Sequence, residues 1–96
     1  MSTTDNNGTK TMAILAIEHT LLKISNSTLE EVQAKLYQEY KCSIQDCYEH
    51  PEYLNKVLKD LFGAASKEVI LDVNSYLNEF AYQRPIAEFL NKIRTP

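Results

Sequence analysis

From Met12 to Ile93 the apolar residues return every three or four positions rather than every second one, and that period sets the fold class as all-α. Ile14, Ile17, Leu21 and Ile24 share one face of a helix predicted over Met12 to Ser25, and Leu15 and Leu22 widen that face. Ser25-Asn26-Ser27 interrupts the period. Ser27 followed by Glu30 reads as a capping box, so a second helix is predicted from about Thr28 with Leu29, Val32, Leu36 and Tyr40 inward. Glu31 and Lys35 form an i,i+4 pair on its wet side, and the short link makes the first two helices an antiparallel hairpin.

His50-Pro51-Glu52 opens the most complete helix signature in the chain. Proline is pre-organised for the first helical position, and the neighbouring acid complements the positive end of the helix dipole. Leu54, Val57, Leu58, Leu61 and Phe62 supply the inward face, and Gly63 reads as a left-handed cap. A fourth helix is predicted from Ser66 to about Ala81 on Val69, Ile70, Val73, Leu77 and Phe80. A fifth follows Arg84-Pro85 on Ile86, Phe89, Leu90 and Ile93. Lys41 to His50 is the least regular stretch, where Ser43 and Asp46 can cap one turn carrying Ile44, Cys47 and Tyr48. The expectation is a compact bundle of about five short helices.

Ninety-six residues are too few for two independent cores, so 12–96 reads as a single helical domain. Residues 1–11 hold no apolar side chain after Met1 and read as a disordered tail. The charge, −3 from 10 basic and 13 acidic residues, contains no basic block, which argues against nucleic acid as a partner. The apolar run Met12–Ile17 is too short for a signal peptide or a membrane span, so the expected location is cytoplasmic, with no membrane partner.

Three residues suited to metal or thiol chemistry lie close in sequence: Cys42, Cys47 and His50. The cysteines have four residues between them and no second pair follows, which departs from the usual zinc spacing. A Cys-His nucleophile needs an electropositive setting, whereas Asp46 and Glu49 make this loop acidic. The paired carboxylates, such as Glu30-Glu31, fall on solvated helix faces, and no glycine-rich loop or catalytic signature accompanies them. These observations imply neither a catalytic residue nor a cofactor. Six tyrosines stand out in the composition; in helices they pack the ring at the edge of the apolar face and leave the hydroxyl wet. Tyr76 and Tyr82, with Ile86, Phe89, Leu90 and Ile93 of the last helix, are the candidates for a partner-binding surface.

The run from Cys47 to Gly63, with Pro51, Leu54, Leu58, Phe62 and Gly63 in the pattern Pro-x-x-Leu-x-x-x-Leu-x-x-x-Phe-Gly, resembles a family of small archaeal all-helical domains. Some of these are described as output domains of thaumarchaeal signalling proteins. The resemblance covers roughly residues 12–80 in helix order and is specific only over 47–63. It implies a non-enzymatic role in signal transduction through protein contact, and it carries over no active site. The expected partner is another protein or a second copy of the chain, the latter through a homodimer packed on Ile86 to Ile93.

Overall fold

The longest element, α1 (Ser2–Ile24), turns into α2 (Asn26–Tyr40) through the single residue Ser25. In the computed structural model, which describes residues 2–94 and their side chains from Gly8 onward, α3 (Pro51–Phe62), α4 (Ser66–Leu77) and α5 (Arg84–Arg94) complete five α-helices. Three 3-10 turns, at Ile44–Tyr48, Gly63–Ala65 and Asn78–Phe80, join them, and no strand occurs among the described residues. The all-α expectation holds. α1 packs on α2 and α4, and α3 packs on α2, α4 and α5, so α3 lies at the centre of the arrangement. The Cα radius of gyration, 12.6 Å, is that of a folded globule of this length, about 12.5 Å.

The tail expected over residues 1–11 is corrected at its inner end. Gly8 to Thr11 are helical, and Thr9 is only 7% exposed. Composition alone asked whether this segment could bury apolar surface of its own. The structure holds it differently: the Thr9 Oγ1 and Tyr48 hydroxyl lie 3.1 Å apart, and Lys10 Nζ lies 3.6 Å from Glu49 Oε2. A helix already nucleated by the apolar face from Met12 extends at one hydrogen bond per residue, and these contacts help to hold the added turn. Of the tail reading, Met1 and the side chains of residues 2–7 lie outside the described residues.

The start of α2 also differs from expectation. Ser25, in an extended conformation (φ −172°, ψ 158°), is the N-cap, and its Oγ accepts the Ser27 N–H at 3.1 Å. Ser27 is therefore inside the helix and the Ser27–Glu30 capping box does not form. Lys35 pairs with Glu39 at 2.8 Å instead of Glu31, because the Asp60 carboxylate of α3, 3.9 Å away, draws the ammonium to that side. The hydrogen bond to Glu39 raises the lysine's pKa, burial working against it. Lys41 ends α2 in the left-handed region (φ 55°, ψ 36°) and donates its N–H to the Tyr37 carbonyl at 2.9 Å.

Ile44 and Cys47 turn inward from the first 3-10 turn, where the Asp46 carboxylate accepts the Ser43 N–H at 2.9 Å as the capping pattern required. α3 runs as predicted, with Pro51 in the first turn and Leu54, Val57 and Leu58 fully buried, but Leu61, expected inward, is 37% exposed. Gly63 has positive φ (59°) but ψ −128°, outside the left-handed helical region of an ordinary cap. α4 ends at Leu77, four residues before the predicted Ala81, and Asn78–Phe80 tightens into a 3-10 turn. α5 buries Ile86, Phe89, Leu90 and Ile93 against α3, α1 and α4.

Candidate functional site

The residues that the sequence offered for metal or thiol chemistry do not converge. Cys47 is fully buried in the core, its thiol directed to the Ser43 carbonyl at 3.8 Å. Burial, with weaker effects from Cys42, Asp46 and Glu52, pushes this thiol up to about 12. Cys42, also a free thiol, is raised by burial and by Asp46. Both shifts run against thiolate formation, the form in which a cysteine acts as a nucleophile. His50 points elsewhere: its Nδ1 lies 3.2 Å from Glu52 Oε2, and its ring stacks on Tyr53 at 4.8 Å. It occupies the N-cap of α3 without a side-chain capping bond. Among the described residues no three His, Cys, Asp or Glu side chains form a group able to hold a metal ion.

The candidate partner surface is corrected as well. Ile86, Phe89, Leu90 and Ile93 are core residues, because α5 lays its whole apolar stripe on the neighbouring helices and none remains for a partner. A homodimer through Ile86 to Ile93 would have to break that packing. Tyr76 and Tyr82 are exposed, Tyr82 at 82%, and Tyr76 lies against the His19 ring at 4.8 Å. Half of the tyrosines follow the packed-ring expectation: Tyr40, Tyr48 and Tyr53 are partly buried against the core, and Tyr40 stacks on Tyr53 at 4.2 Å, 5° from parallel.

A site emerges where α3, the start of α4 and the end of α5 meet. Asn55, on α3, is 1% exposed. Its Nδ2 donates to the Ile93 carbonyl oxygen at 2.6 Å, satisfying one of the four carbonyls that the end of a helix leaves open. The amide cannot be turned over, since that would set oxygen against oxygen. Its Oδ1 is buried and has no hydrogen-bond partner in the protein, a situation worth about 1–3 kcal/mol of destabilisation.

Asn55 lines a cavity of about 290 Å³ together with Lys59, Ser66, Lys67, Ile70, Leu71 and Arg94. Helical spacing explains the set: Lys59 lies one turn beyond Asn55 on α3, Lys67 and Leu71 are i,i+4 on α4, and Arg94 follows Ile93. Leu71 is 56% exposed at the mouth. Among the described residues no carboxylate lines the cavity; of the three that adjoin its lining residues in sequence, Asp60, Glu68 and Asp72, Asp60 is turned to Lys35 on the α2 side. Lys59, Lys67 and Arg94 form no ion pair among the described residues. The arrangement offers three cationic donors, an apolar wall and one buried acceptor, which suits recognition of an anionic group. Sequence reasoning missed it, although Asn55 stands three residues before Leu58 and seven before Phe62, inside the apolar arc of α3. Comparison of the chain with protein-family models, with characterised proteins and with solved structures finds no match.

Proposed function

We propose that this chain is a non-enzymatic helical interaction module that acts by protein–protein contact through the cleft between α3, α4 and α5. The observation that carries the reading is the grouping of Lys59, Lys67 and Arg94 around an apolar wall with no carboxylate among the described lining residues, in a chain whose net charge is −3. Cations that form no ion pair among the described residues, beside an exposed leucine, fit an acidic and apolar segment of another protein. An output role in signalling, as the resemblance over residues 47–63 implies, would use a contact of this kind. Panning displayed peptide libraries against the protein and against a Lys59→Glu, Lys67→Glu variant tests the proposal. Both lysines are exposed, so the variant keeps its core. Peptides enriched by the parent and lost by the variant support the reading; no enrichment, or enrichment indifferent to the charge reversal, sinks it.

Leu15 and Leu22 favour a second reading. They are one heptad apart on the outer face of α1 and both exposed, a stripe on which two copies of α1 could pair. Sedimentation across a wide concentration range checks it: a dimer abolished by Leu22→Lys supports self-association, and a monomer throughout removes it. No helix among the described residues is long and apolar enough to cross a membrane.

A further inference from the structure

The geometry points to a particular ligand for this cleft: the free C-terminal residue of a polypeptide, one with an apolar side chain. The inference rests on the protein-contact reading above and names the chemistry of the partner. Three features of the residues that line the cavity call for three different groups. Lys59, Lys67 and Arg94 call for an anion, and charge-assisted bonds from such donors to a carboxylate are the stronger kind. Ile70 and Leu71 call for an apolar side chain. The buried Asn55 Oδ1, its amide nitrogen already committed to Ile93, calls for a hydrogen-bond donor. The last residue of a peptide carries all three on one Cα: a carboxylate, a side chain and a backbone N–H.

Size agrees with that occupant. A cavity of about 290 Å³ is at the foot of the ~300–1,000 Å³ range of small-ligand sites and admits a chain end of one or two residues. An internal acidic segment would bring a carboxylate on a flexible stem and would have to pass its chain through the cavity in both directions. Inorganic phosphate would meet the cations, and its remaining O–H could donate to Oδ1, but it has no apolar part for Ile70 and Leu71.

The test uses the full chain and three acetylated tetrapeptides ending in leucine: the free acid, its C-terminal amide, and the free acid methylated on its last backbone nitrogen. Amide NMR shifts of Ile70 and Leu71 and the side-chain NH₂ signal of Asn55 report occupancy. Expected is saturable binding of the free acid, at least tenfold weaker binding of the amide and of the N-methyl peptide, and loss of the free acid's binding in the Lys59→Glu, Lys67→Glu variant. Equal binding of acid and amide overturns the carboxylate assignment while leaving a protein-contact role standing. Equal binding of the N-methyl peptide overturns the assignment of Oδ1 as the acceptor. Failure of the free acid to bind, with charge-dependent enrichment of internal acidic peptides in the panning experiment, overturns the chain-end proposal alone.

Discussion

Asn55 donates to the Ile93 carbonyl oxygen at 2.6 Å and so ties the middle of α3 to the last turn of α5, across 38 residues of sequence. Replacing the amide with a carboxylate inverts this contact. Asn55→Asp places a negative oxygen against a carbonyl in the interior, so its carboxyl is expected to titrate above the usual range in the folded state. A carboxyl raised on folding contributes stability below its unfolded value, near 3.9, and that contribution is lost as pH rises through the folded pKa. The variant should therefore lose about 3–5 kcal/mol relative to the parent at pH 7 and recover part of it at pH 4, read from urea melts at both values.

The two residues at positive φ should respond in opposite directions. Nothing lies within 4 Å of a Cβ built on Gly63, so Gly63→Ala meets no steric obstacle, yet the backbone conformation itself is one that an L-residue adopts at about 1–3 kcal/mol. Lys41 already bears such strain, and Lys41→Gly relieves it at the loss of a surface contact between its ammonium and the Tyr37 ring, 5.1 Å away. Thermal melts should show Gly63→Ala lowered and Lys41→Gly raised, the latter by about 0.5–1 kcal/mol.

Alkaline conditions should expose the burial of Cys47. Its pKa is raised on folding, from an ordinary value of 9.0 to about 12. A raised thiol gives its full stabilisation below the unfolded pKa and loses it as pH climbs toward the folded one. Stability should thus fall from about pH 9 upward, by about 1.4 kcal/mol per pH unit from this group. Tyr40, raised by burial, and Cys42 act with the same sign. Cys47→Ala should flatten the alkaline slope, and in the parent at pH 8 a thiol reagent should label Cys42 well before Cys47. Equal labelling rates would show that the core is open there.

Removing α5 should unfold the domain instead of merely altering its association. Phe89 is 2% exposed, and Phe89→Ala is expected to cost about 3–5 kcal/mol, a large part of the 5–15 kcal/mol total of a small domain. Deleting residues 85–96 takes Ile86, Leu90 and Ile93 as well. Far-UV circular dichroism would contradict this if the truncated chain kept its helical signal and a cooperative melt.

The elements legible in the sequence are those whose apolar period and punctuation agree, above all α3, where Pro51, the Leu54–Phe62 arc and Gly63 mark the start, the face and the end. The starts of α1 and α2 were misplaced for different reasons. Ser25 and Ser27 can each cap α2, and only the tight turn from α1 selects Ser25. Gly8 to Thr11 gain their helix from Tyr48 and Glu49, partners 39 residues away that no local window contains. The cleft was hidden for the same reason, since Lys59, Lys67 and Arg94 resemble any solvated lysine or arginine until α3, α4 and α5 are placed together. Asn55 alone carried a local signal, as a polar residue within an apolar arc, and the metal-suited residues at 42–50 drew attention because their spacing is local and their burial is not.

The ring stack of Tyr40, Tyr53 and His50 gives the molecule a built-in optical reporter. With no tryptophan in the chain, ultraviolet emission comes from tyrosine alone. The Tyr40 and Tyr53 rings belong to α2 and α3, so parting those helices separates a nearly parallel pair now 4.2 Å apart and removes the mutual quenching of close rings. Brightening would mark the undocking of one specific helix pair, while Tyr82, already surrounded by solvent, would serve as the internal reference.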